Sequence, residues 1–92
     1  MTATLDKTAD ALVFTGILDR DACAALWKQA LPLLAGVRGI DLTAVSRVDS
    51  AGLALLAELA ARCDGASVIG APAGLAELRA AYRLGESLAF AG

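Results

Sequence analysis

The 92-residue chain contains no histidine. That absence excludes His-based general acid–base catalysis, His-activated serine or cysteine nucleophiles and any His-containing zinc site. Aromatic residues are scarce, at 4% of the chain, so its core is built from small side chains that favour closely packed helices over a sandwich stiffened by large rings. Its longest unbroken apolar run, Ala22 to Trp27, is far short of the roughly 18 residues that a spanning helix requires. The start of the chain carries no basic segment followed by an apolar core, so a cytoplasmic location is expected, peripheral to the inner membrane at most through a partner. Basic residues are scattered singly, and eight of them against ten acidic ones give a net charge of -2. Such a balance argues against nucleic acid as a partner, and the scatter argues against direct insertion into an anionic lipid surface. Two cysteines, Cys23 and Cys63, lie on expected helices and read as two small buried hydrophobes rather than a disulfide or metal pair.

What the chain has is a 58% apolar composition dominated by alanine and leucine, enough to rule out intrinsic disorder and to fill one core. A single domain over 1–92 is expected. Ala11 to Thr15, closed by Gly16, reads as a strand, with Thr4 to Thr8 pairing to it across Ala9-Asp10. Asp19 is a helix N-cap with Asp21 in the first turn, and apolar residues follow at Ala22, Leu26, Ala30 and Leu33 or Leu34. Gly36 should end that helix and Pro32 should kink or shorten its last turn. Val37 to Leu42 reads as a central strand and Thr43 to Asp49 as a connection. A second helix is expected from Ser50 to Arg62 with Leu53, Leu56, Ala57 and Ala60 on its apolar face and Leu55 and Leu59 widening the stripe. Within it, Glu58 and Arg62 are spaced for an i,i+4 ion pair. Cys63-Asp64-Gly65 closes this helix, Ala66 to Ile69 is a short strand, and Pro72 opens a third helix to about Arg83. Leu88 to Phe90 is expected as a last strand or docked tail. The resulting order, β-β-α-β-α-β-α, implies an α/β fold: a mixed sheet with helices mainly on one face.

In such sheets sites form where a strand runs into a helix. Here that junction is Val48-Asp49-Ser50-Ala51-Gly52-Leu53. Either Asp49 or Ser50 has the chemistry to cap the unpaired N–H groups of the helix start, and the hydroxyl of Ser50 would stand at a partly positive helix end that tolerates a phosphate. Gly52 allows a close approach, so Gly52→Leu is expected to fold and to obstruct a partner. The aspartates Asp19, Asp21, Asp41, Asp49 and Asp64 raise a Mg²⁺ phosphotransfer reading. It is weakened by the absence of a Walker-type glycine loop and of any Lys or Arg spaced with them as a phosphate clamp. No cofactor or metal is expected.

The run Gly39 to Leu56, a strand with Asp41-Leu42 followed by a short loop and Asp49-Ser50-Ala51-Gly52 at a helix head, resembles the signature of the STAS domain family. Gly16-Ile17-Leu18-Asp19 and Leu26-Trp27 fit the same family upstream, and the loop Val45 to Asp49 is most similar to the STAS subunit of the Mla phospholipid-transport ABC complex. The resemblance implies a non-enzymatic protein that binds and supports the ATPase subunit of that ABC transporter. Its wider relatives imply the alternative, an anti-sigma-factor antagonist that binds an anti-sigma factor kinase and is switched by phosphorylation of Ser50. In either case it places partner contacts on Asp49, Ser50, Ala51, Gly52 and Leu53. Ser50 falls on the phosphorylatable position, and Ala51, often Ser or Gly in the family, leaves Ser50 the only hydroxyl there.

Overall fold

The computed structural model describes residues 3–63 and 66–81. The elements run β1 (Thr4–Thr8), β2 (Ala11–Leu18), α1 (Arg20–Ala30), β3 (Gly39–Val48), α2 (Ser50–Arg62), β4 (Ser67–Ile69) and α3 (Leu75–Ala81), in the expected β-β-α-β-α-β-α order. One four-stranded sheet has the order β1-β2-β3-β4. β1 and β2 form an antiparallel hairpin, Thr8 opposite Ala11, turning on Ala9 at φ +50. β2–β3 and β3–β4 are parallel, so each is joined through a helix. β3 is therefore central, as its apolar start implied.

The core lies between the sheet and its helices. β2 alternates strictly, burying Leu12, Phe14 and Leu18 and leaving Ala11, Val13, Thr15 and Ile17 half-buried. Ile40 and Leu42 of β3, Leu26 and Ala30 of α1, and Leu53, Leu56 and Leu59 of α2 complete the same cluster. Burying side chains of this size contributes about 1.5–3 kcal/mol each before ordering costs are set against it.

Four boundaries differ from the sequence reading, each for a local reason. Gly16, at φ +85, does not close β2, which runs on to Leu18 through a register shift. Thr43 to Val48 is strand rather than connection. It pairs with Thr15 to Leu18, and two register shifts give β3 extra residues, so burial falls on Leu42, Val45 and Val48, every third residue instead of every second. α1 stops at Ala30, well short of Gly36, because Pro32 has no N–H to continue the ladder and the chain tightens into a 3₁₀ turn at Leu31–Leu33. Pro72 does not open a helix. Ala73 bridges to Arg47 alongside β3 and trades backbone bonds with Ser46 and Val48, and Gly74, at φ +88, turns the chain so that α3 starts at Leu75. The expected Asp64-Gly65 stop, the continuation of α3 to about Arg83, and the strand or tail at Leu88 to Phe90 lie outside the described residues.

Candidate functional site

The two helix starts meet at the carboxyl end of β2 and β3. Asp49 follows Val48 with extended backbone, and its N–H donates to Leu18 O at 3.1 Å. Its side chain then serves both helices: Oδ1 accepts from Gly52 N at 2.8 Å, capping α2, and Oδ2 accepts from Arg20 N, the first residue of α1, at 3.2 Å. Asp19 caps α1 in its own right, accepting from Ala22 N at 3.1 Å. Of the two candidate caps of α2, Asp49 is thus the one used. That leaves Ser50, exposed on the first turn of α2, without the capping role.

Two of the expected contact residues face the other way. A Cβ on Gly52 would stand 2.1 Å from Leu18 O and 2.9 Å from Leu18 C, and Leu53 is 2% exposed in the core. Gly52 and Leu53 are packing residues that seat α2 on the end of β2. The expectation that Gly52→Leu folds and merely obstructs a partner is therefore overturned by backbone sterics. Asp49 and Ala51 remain half-buried at the rim and Ser50 is exposed.

Beside Ser50 a groove of about 530 Å³ opens between α1 and α2. Arg20, Cys23, Ala24 and Trp27 form one wall and Ala51, Ala54, Leu55, Glu58 and Arg62 the other. Ala24, Ala51 and Ala54 keep it open, while the half-buried Trp27 supplies its large apolar side chain and Leu55, mostly buried, closes its base. Arg62, spaced for a pair with Glu58, places its guanidinium carbon 5.1 Å from the centroid of the Trp27 ring, a cation–π contact across the two helices. Trp27 is accordingly half-buried, neither wholly core nor free. Apart from Ala51 the sequence reading left these wall residues out of the site. The available signal was the pair of small residues Ala51 and Ala54, three apart on α2, flanking the core face that Leu55 edges.

Electrostatics at this end disfavours covalent chemistry. The Cys23 thiol donates to Asp19 O at 3.1 Å, and burial, then the Asp49 carboxylate, then that of Asp19 push its pKa up, the reverse of an activated nucleophile. Three of the five aspartates of the Mg²⁺ reading are otherwise employed: Asp19 and Asp49 cap helices, and Asp41 accepts the Thr43 amide at 2.9 Å and hydroxyl at 2.5 Å, which hold its carboxyl below the ordinary range. Among the described residues, no group of three or more His, Cys, Asp or Glu is arranged to hold a metal ion. Among them also, no helix is long and apolar enough to cross a membrane.

Comparison with known proteins places this geometry in context. The family model described as "Mlab, STAS domain" matches residues 1–89. The chain is 45% identical over 53 residues to the intermembrane phospholipid transport system binding protein MlaB of Escherichia coli (strain K12), and equally to that of Shigella flexneri. The match covers 58% of this chain and spans about half, 55%, of the length of those curated relatives. Among solved structures, the anti-sigma factor antagonist SpoIIAA in its unphosphorylated form superposes with a TM-score of 0.63 at 18% identity, over 99% of this chain and 90% of that one, a likeness of fold. This chain belongs to the Mlab-type STAS domain family.

Proposed function

We propose that this STAS-family chain acts as one non-enzymatic domain that binds and supports the ATPase subunit of a phospholipid-transporting ABC complex, working in the cytoplasm and reaching the inner membrane only through that partner. The observation that carries the reading is the α1–α2 groove. It is an open concavity walled mainly by alanines and Trp27, with the charged side chains of Arg20, Arg62 and Glu58 in its lining and the exposed Ser50 next to Ala51. Concavities of this composition anchor a partner's side chains: apolar area drives association, and the charged edge fixes register and excludes wrong partners. The 45% identity to phospholipid transport system binding proteins supports this choice of partner. The raised pKa of Cys23 supports a binding role over a catalytic one.

Ser50 and Ala51 form the upper rim of the contact, with Asp49 acting behind them as the clamp that holds the two walls in place. A charge introduced at Ser50 sits well at a helix start but poorly against a protein surface that must lie flat on it. Co-purification with the ATPase subunit of the cognate transporter tests the reading: wild type is retained in stoichiometric amount, and Ser50→Asp is retained weakly at an unchanged melting temperature. Failure of the wild-type chain to bind that subunit at micromolar concentration contradicts it.

The second reading, an antagonist that binds an anti-sigma factor kinase, draws on one observation. Ser50 is exposed on the first turn of α2, where a phosphate is tolerated by the helix dipole. Incubation with such a kinase and ATP separates the two: incorporation of phosphate at Ser50 with release of the kinase favours the antagonist.

A further inference from the structure

The cations that are scattered in sequence do not stay scattered in the fold. At the end of α2 opposite Ser50, Arg38 and Arg62 line a second concavity of about 440 Å³ formed with the turn through Ala35 and Gly36 and with Cys63. Lys7 reaches it from β1, its Nζ donating to Ala35 O at 2.6 Å and lying near enough to the Cys63 thiol to oppose the effect of burial on it. Three of the chain's eight cationic side chains thus converge from three separate segments, in a protein whose net charge is -2. Among the described residues, the lining of this concavity contains no carboxylate.

The backbone alone would make this end of the molecule negative, since α2 and the 3₁₀ turn both finish here with their carbonyls outward. Lys7 occupies the carbonyl of Ala35, in the turn that follows the 3₁₀ segment, and Arg62 stands in the last turn of α2. With the carbonyl ends so covered, Arg38 adds positive charge beyond what the helix ends call for. Like charges held together around a concavity repel one another, and an anion seated among them reverses the sign of that interaction.

We propose that this concavity binds a phosphate ester, with Arg38 and Arg62 as the principal donors and Lys7 completing the positive field. Guanidinium groups match phosphate oxygens in geometry as well as charge, and the volume accommodates a phosphate with a short organic substituent of glycerophosphate size. The same chemistry is offered by a soluble phosphate ester and by the headgroup of an anionic phospholipid. This site shares Arg62 with the docking groove, whereas Arg38 and Lys7 lie outside that groove.

Arg62 supplies a built-in reporter, because it also lies over Trp27, the chain's only tryptophan. A ligand that draws on the guanidinium alters that stack and with it the tryptophan fluorescence. The purified chain is titrated at constant ionic strength with inorganic phosphate, with glycerol 3-phosphate, and with vesicles of phosphatidylglycerol in phosphatidylcholine. Sodium chloride and pure phosphatidylcholine vesicles are the controls. Fluorescence and the backbone amide shifts of Gly36, Arg38 and Cys63 are followed together. Saturable change with the soluble esters alone identifies a soluble ligand; change with the anionic vesicles, with co-sedimentation, identifies a lipid headgroup. Either supports the proposal, provided that Arg38→Ala weakens binding by about tenfold or more, with Arg38→Lys falling between wild type and Arg38→Ala. The proposal is overturned if none of the three probes exceeds its control in either readout, or if Arg38→Ala binds as tightly as wild type. Arg38 is exposed and outside the docking groove, so its substitution leaves the melting temperature and partner binding as readouts of folding and of the other site.

Discussion

Gly52 packs so closely on Leu18 that a Cβ built on it would lie 2.1 Å from the Leu18 carbonyl oxygen. Neither partner of that contact has a flexible end, since both sides are backbone, one in α2 and one at the end of β2. The same carbonyl accepts the Asp49 N–H at 3.1 Å, so the oxygen is fixed from two directions.

Gly52→Ala should therefore destabilise the domain, even though alanine is the better helix former by about 1 kcal/mol. Overpacking of this kind costs typically about 1–3 kcal/mol, and in a chain of this length each kcal/mol lowers the melting temperature by about 4–8 °C. Thermal melts followed by circular dichroism should show a clear drop for Gly52→Ala and a larger one, or no folding, for Gly52→Leu. Wild-type melting of Gly52→Ala would mean that α2 does not sit this close to β2.

Asp49 and Ser50, adjacent in sequence, should behave oppositely. Asp49→Ala removes the acceptor of two helix-start N–H groups, those of Gly52 and Arg20, and should cost about 0.5–2 kcal/mol for the α2 cap alone. Ser50→Ala should cost nearly nothing in urea unfolding. Equal losses for the two variants would show that Ser50 shares the cap.

The thiols give a pH-dependent check with a defined sign. Burial, then Asp49, then Asp19 raise the Cys23 pKa from 9.0, and burial raises that of Cys63. Above the ordinary thiol range the unfolded chain loses these protons first, so stability should be at its full value below pH 9.0 and fall as the pH rises past it. Alkylation of Cys23 by iodoacetamide should accelerate with a midpoint above 9.0, and Asp49→Asn should bring that midpoint down while leaving the midpoint of Cys63 where it was. A Cys23 midpoint unmoved by Asp49→Asn would remove the carboxylate from the account.

Much of this was legible in the chain itself. The strand–helix order, the hairpin across Ala9-Asp10, the capping aspartate at Asp19 and the span of α2 follow from short-range patterns: β-branched runs, N-cap chemistry and a 3.6-residue apolar period. The second half of β3 was hidden because its register shifts against β2 change the burial period from two to three, and Thr43 to Val48 then has the composition of a loop. The role of Gly52 was hidden for a different reason. A glycine that lets a partner approach and a glycine that lets a neighbouring strand approach are the same letter, and only the position of Leu18 O distinguishes them. The groove was invisible because its walls are residues 24 and 27 on one helix and 51, 54 and 58 on another. The resemblance points to Ser50's end of α2, and the open surface beside it is lined by alanines and Trp27 more than by the motif residues.

The central claim is that the groove between α1 and α2 is the docking surface for the transporter ATPase subunit. Ala54 is exposed on its α2 wall, outside the core and the caps, so Ala54→Arg fills the groove without disturbing the fold. Isothermal titration of that ATPase subunit with wild type and with Ala54→Arg tests the claim most directly. The account predicts the same melting temperature for both proteins and at least a tenfold weaker complex for Ala54→Arg, about 1.4 kcal/mol. Equal affinity of the two proteins would contradict it and move the interface elsewhere on the molecule.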